Sequence, residues 1–131
     1  MQFSYKATLT ALQALPQYRK VPVETSVKLW TNYIIALGNP QLAYKVVHVT
    51  GTNGKGSVTL KVANALTALG FKTGLYTSPH ISSTRERITI DGVKISEQDF
   101  VDVYDKVSKV PFDEAIWFDI YTAMGFTYFK D

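Results

Sequence analysis

The chain has 131 residues, 46% of them hydrophobic, with 14 basic and 11 acidic side chains and a formal charge of +3. That balance describes one globular domain with a real core and excludes a disordered chain; the basic residues are scattered, which does not favour nucleic acid and suits a small polyanionic ligand equally well. The absence of cysteine excludes disulfides and thiolate chemistry.

Residues 1–20 lack the basic start and apolar core of a secretory signal. The most apolar segment, residues 115–129, is too short to span a bilayer and contains Asp119, so no membrane role is expected. The expected location is the cytoplasm, or also the mitochondrion if the source is eukaryotic.

Residues 4–14 place Ala7, Leu9, Ala11, Leu12 and Leu15 for a short amphipathic helix stopped by Pro16. Residues 23–37 form a second helical pattern, with Val27, Leu29, Trp30, Tyr33, Ile34 and Leu37 largely on one face. Gly38-Asn39-Pro40 ends it, because glycine suits the cap and proline cannot continue the helix. The β-branched run at residues 45–50 (Val46, Val47, Val49) reads as a buried strand. A glycine loop follows, then a helix over residues 57–69 with Val58, Val62, Ala63, Leu66 and Leu69 spaced for one face.

Residues 73–76 read as another short strand. Strand, loop, helix and strand make a βαβ unit, which predicts a parallel pair. After a polar loop at residues 77–85, RITIDGVKI reads as a hairpin turning at Asp91-Gly92. Ser96 with Asp99 resembles a capping box opening a helix near residues 97–107. Residues 114–129 are apolar on nearly every side, which predicts a buried helix. The expected class is α/β: a P-loop-type parallel sheet with flanking helices and a small β-hairpin.

The loop HVTGTNGKGS, residues 48–57, lies between the expected strand and helix. Such a loop aims several backbone N–H groups at one point beside the positive end of the helix dipole, which suits phosphate. Glycines admit the ligand, and Lys55 adds a mobile positive charge. The loop is not a standard Walker A sequence, since Val49 stands where the first glycine would fall and Gly56 follows the lysine. Nor does its Gly51, Gly54 and Gly56 spacing match the dinucleotide fingerprint.

GTNGKGS preceded by VVHV resembles the ATP-binding loop of the folylpolyglutamate synthase and dihydrofolate synthase family, relatives of the Mur ligases of cell-wall synthesis. Gly56 points to the folate branch, because the Mur loop more often has a hydroxyl residue directly after the lysine. LGNPQ (residues 37–41), YTSPH with RERI (76–80 and 85–88) and WFDIYTAMGFTYF (117–129) resemble further family segments. Enzymes of this family are about three times longer, consistent with a second domain. The resemblance therefore makes residues 1–131 the N-terminal part of the ATP-binding domain, with a magnesium-binding glutamate and a C-terminal domain belonging beyond Asp131.

The resemblance implies an ATP-dependent ligase that joins a pteroate or folate carboxylate to the amine of glutamate through an acyl phosphate. The substrates implied are small molecules: folate or dihydropteroate, and glutamate. By the same resemblance Asn53, Gly54, Lys55, Gly56 and Ser57 hold ATP, with Lys55 neutralising the transferring phosphate and Ser57 contacting phosphate or a metal-bound water. Ser78 matches a magnesium-ligating serine, so ATP and Mg²⁺ are the implied cofactors.

Ile116, Trp117, Phe118 and Asp119 match the family's pterin-contacting segment, with isoleucine in place of threonine and aspartate in place of glutamate. Their aromatics either stack on a pterin or pack as helix core. His48 is expected to be a hydrogen-bonded core residue, and His80 orders its loop. Arg85 and Arg87 either hold a glutamate tail or, for Arg87, pair with Glu86 or Asp91. Two rival readings are a cell-wall Mur-type ligase and a non-catalytic nucleotide-binding module.

Overall fold

Caps and turn residues set most of the element boundaries. The computed structural model describes residues 4–16, 21–51, 54–77, 83–112 and 115–131. In chain order its elements are α1 (Tyr5–Gln13), α2 (Val23–Ala36), α3 (Lys55–Ala68), β1 (Gly74–Tyr76), β2 (Ile88–Ile90), β3 (Val93–Lys94), α4 (Glu97–Ser108) and α5 (Trp117–Lys130). Short 3-10 turns lie at Pro40–Ala43 and Thr84–Arg87. The chain divides into two compact units: Met1–Tyr44 with Glu97–Asp131, and Lys45–Ser96.

In the first unit Ser4 caps α1, its hydroxyl accepting from the Ala7 amide at 3.1 Å. α2 stops as the sequence predicts. Gly38 and Asn39 both take left-handed φ values, +88° and +50°, and the Asn39 amide reaches back to the Ile34 carbonyl at 2.9 Å. α4 buries Phe100, Val101, Val103 and Val107, whose spacing makes one face, and α5 buries its middle from Asp119 to Gly125 with Thr122 half-buried. Leu12, Phe100, Val107, Ala123 and Met124 are fully buried, each of the larger ones contributing roughly 1.5–3 kcal/mol by leaving water.

Two tyrosines tie the helices by their hydroxyls. Tyr33 of α2 donates to the Val107 carbonyl at 2.8 Å, and Tyr44 donates to the Phe126 carbonyl at 2.9 Å. Burial first, then the nearby charge of Asp119 and the neighbouring Tyr104, raises the Tyr33 phenol well above the usual tyrosine range. Each hydroxyl satisfies a carbonyl that ionisation would leave facing an anion.

The second unit departs from the expected topology. Its sheet has three strands in the order β1-β2-β3, all antiparallel, with Leu75 opposite Thr89 and Thr89 opposite Lys94. Asp91 and Gly92 both have positive φ, +51° and +81°, as a two-residue hairpin requires. The Asp91 carboxylate accepts from the Thr73 amide at 2.8 Å, which locks the start of β1 beside the hairpin.

Among the described residues the parallel βαβ pair is therefore not formed: β1 pairs with β2, and residues 45–50 belong to no ladder. A buried parallel pair must be covered on both faces. Here Val46 and Val47 are 57% and 67% exposed, and none of the α3 residues is buried, so no layer of the described residues covers that segment. The expected buried face of this helix is likewise absent, with Val58 half exposed and Leu69 exposed. His48 also differs from expectation: it is exposed rather than in a core. Among the described residues no helix is long and apolar enough to cross a membrane.

Burial pushes the Tyr44 phenol up to about 12. The native state thus holds that proton more tightly than the unfolded chain. Stability is unaffected below about pH 10 and falls as the pH climbs from about 10 to about 12. Denaturant midpoints at about pH 8 and about pH 11.5 should show this loss reduced in Tyr44→Phe, the remainder belonging to Tyr33, Tyr104 and Tyr128, whose phenols are also raised. An alkaline loss unchanged by the substitution contradicts the assignment.

Candidate functional site

Two places concentrate chemistry, one in each unit. In the second unit α3 begins at Lys55 directly after Gly54, which takes φ +72° and ψ 0° at the cap position and supplies no side chain. The first helical bond runs from the Val58 amide to the Gly54 carbonyl at 3.0 Å. The amides of Lys55, Gly56 and Ser57 precede it, and none of the described residues accepts from them. They lie at the positive end of a 14-residue helix, where an anion is stabilised.

Lys55, Gly56 and Ser57 are all exposed, and Lys55 makes no ion pair with any described residue. Glycine at position 54 answers to backbone strain. Glycine at position 56 does not: its φ is ordinary, and an added Cβ would meet nothing within 4 Å. Residues 45–96 also carry seven Lys or Arg against two Asp or Glu, whereas the rest of the chain has seven against nine. The loop thus sits in a basic setting that suits a polyanion. Asn53, Ser78 and His80 lie outside the described residues.

The second place is a cleft of about 320 Å³ in the first unit. It is lined by Ser26, Val27 and Trp30 of α2 and by Phe118, Asp119, Thr122 and Phe126 of α5. Trp30 and Phe126 meet edge to face at 6.5 Å, while Phe118 is 42% exposed. Thr122 donates its hydroxyl to the Phe118 carbonyl at 2.8 Å. Of the four residues singled out in the sequence, Phe118 and Asp119 reach this cleft. Trp117 does not: its ring packs against Tyr121 at 5.7 Å. Ile116 occupies the cap position of α5.

Trp30, Thr122 and Phe126 were not read as site residues from the sequence. The signal was present, since residues 118, 122 and 126 recur every four positions along one helix face. Arg85 and Arg87 are tied into the second unit: Arg85 Nη1 donates to the Ile95 carbonyl at 3.1 Å, and Arg87 is 4% exposed. Among the described residues no cluster of three His, Asp or Glu side chains is arranged to hold a metal ion.

Folylpolyglutamate synthase of Lacticaseibacillus casei is 34% identical over 135 residues, which span 97% of this chain. The solved structure of Mycobacterium tuberculosis folylpolyglutamate synthase complexed with ADP matches with a TM-score of 0.86 at 34% identity, over 98% of this chain. The chain belongs to the folylpolyglutamate synthase and dihydrofolate synthase family. A folylpolyglutamate synthase solved with AMPPCP and folate matches at a TM-score of 0.85 and 33% identity, over 97% of this chain and 32% of that one. The chain covers 31% of the Lacticaseibacillus relative and 30% of the Mycobacterium structure, so it spans about a third of their length. No protein-family model matches it.

The two loop glycines should respond to substitution with opposite signs. Gly54→Ala forces a Cβ into the left-handed region and should cost about 1–2 kcal/mol. Gly56→Ala places alanine in a helical turn with open space around it and should gain up to about 1 kcal/mol. Urea unfolding of both variants reads the difference; two changes of the same sign contradict this loop geometry.

Proposed function

We propose that the chain supplies the ATP loop and the pterin cleft of an ATP-dependent ligase that joins a pteroate or folate carboxylate to the amine of glutamate. The observation that carries the reading is the start of α3: three amides with no acceptor among the described residues and an exposed Lys55 side chain that pairs with none of their carboxylates, behind Gly54, a cap without a side chain. Relatives solved with ADP, and with AMPPCP and folate, support the same pairing of ligands.

In this reading the loop amides of residues 53–57 and the Lys55 ammonium hold and neutralise the terminal phosphates of ATP. The substrate carboxylate takes the terminal phosphate, and the glutamate amine then displaces phosphate from that activated carbonyl. Such transfer depends on positioning and on charge neutralisation rather than on a protein nucleophile. The Ser57 hydroxyl and Ser78 are the protein groups offered to Mg²⁺. That ion keeps most of its ligands as water and phosphate oxygen, so the lack of a carboxylate cluster among the described residues is compatible with it.

Trp30, Phe118 and Phe126 are proposed to form the aromatic walls of the pterin cleft, since flat heterocycles stack on such faces. Residues 45–50, with their exposed valines, are proposed as one strand of a P-loop-type parallel sheet. The substrates are soluble small molecules, which fits work in the cytoplasm.

A ligation assay tests the reading. Residues 1–131 with ATP, Mg²⁺, glutamate and either pteroate or folate should bind nucleotide weakly and give no ligated product, because a further domain is proposed to complete the site. Lys55→Ala should remove the nucleotide binding while changing stability by less than about 1 kcal/mol, as for an exposed side chain. Unfolding of that variant under conditions where the parent is folded sinks the role of Lys55. Product that disappears with Lys55→Ala shows instead that no further domain is needed.

A further inference from the structure

Asp119 lines the cleft, yet its carboxylate is not simply offered to a ligand. Asp119 is 6% exposed, and its Oδ2 accepts from the backbone amide of Ile116 at 3.3 Å. That bond closes the first turn of α5 from the third helical position. A capping box would return the favour through a hydroxyl or carboxylate at the cap, but Ile116 has no polar atom on its side chain. The Asp119 amide bonds instead to the Ile116 carbonyl at 3.1 Å, and the Trp117 amide donates to the Pro16 carbonyl at 3.1 Å.

Phe118 therefore stands between residues pinned on both sides. Its ring is the most exposed aromatic of α5 at this cleft, and it also meets the Trp117 ring edge to face at 5.8 Å. Phe118 lies within the turn that Asp119 closes.

We propose that Asp119 is a positioning residue of the pterin cleft, acting through Phe118 by holding the first turn of α5 closed on the Ile116 amide rather than by pairing with the heterocycle. The inference rests on the proposed reading of the cleft as a pterin site. It separates two roles for one carboxylate. A cap needs only an acceptor oxygen, which asparagine also has. A partner for both the amino and ring N–H groups of a pterin needs two acceptor oxygens, of which asparagine has one.

The test uses the whole chain and titrates pteroate against the quenching of tryptophan fluorescence, with urea unfolding of each variant alongside. Asp119→Asn should bind pteroate within about three-fold of the parent, because the acceptor is retained. Asp119→Ala should weaken it by about ten-fold. In a Phe118→Ala background, Asp119→Ala should cause no further loss of pteroate affinity, since a residue that acts through Phe118 has nothing left to position. A purely structural residue would instead weaken binding as much in that background as in the parent. A loss of about ten-fold or more in Asp119→Asn, persisting without Phe118, would show direct pairing with the ligand and overturn the inference while leaving the pterin reading intact. Absence of quenching by pteroate in the parent overturns the pterin reading and the inference with it.

Discussion

A helix cannot satisfy the amides of its own first turn, and the two long helices that begin near the candidate sites resolve this in opposite ways. α3 leaves Lys55, Gly56 and Ser57 with no acceptor among the described residues, behind a cap that carries no side chain. α5 closes its first turn with the Pro16 carbonyl, the Ile116 carbonyl and the Asp119 carboxylate. An open first turn draws an anion; a closed one fixes geometry. The proposed division of labour between a phosphate loop and an aromatic cleft follows from that difference.

Charge is distributed to match. Residues 45–96 hold a strong excess of basic over acidic side chains, while the remainder is slightly acidic. Polyanion binding therefore has a local electrostatic basis that the overall charge of +3 conceals. The cleft depends little on charge: its walls are Val27, Trp30, Phe118 and Phe126, and its one carboxylate is engaged by its own backbone. Stacking and apolar contact are what such a cleft offers a ligand.

Local chemistry was the legible part of this sequence. Gly38-Asn39-Pro40 ends α2 because consecutive left-handed residues wrap its last carbonyls, and Asp91-Gly92 turns the hairpin because both adopt positive φ. α1 was readable as a helix from its apolar spacing and α4 from its opening at Ser96 and Asp99, whereas the buried face of α1 was not: of Ala7, Leu9, Ala11, Leu12 and Leu15 only Leu12 is buried, beside Thr8. The capping box at Ser83 and Glu86 was also present as an S-x-x-E pattern and passed for polar loop. Pairing was not legible. Residues 45–50 have the composition of a buried strand, but composition does not say where a ladder partner is, and β1 has its partner in β2. Within the cleft, Phe118 and Asp119 were identified through their segment. Trp30 was not, because its role depends on the approach of α2 to α5, which periodicity along either helix alone does not encode.

The central claim is that phosphate is held at the start of α3. Amide NMR of the ¹⁵N-labelled chain during titration with AMPPCP and Mg²⁺ tests it most directly, because each first-turn amide reports separately. The largest shifts should fall on Gly54, Lys55, Gly56 and Ser57, and should be lost in Lys55→Ala while the α4 and α5 resonances remain in place. Shifts concentrated on α5, or none at all in a chain that remains folded, would contradict the account.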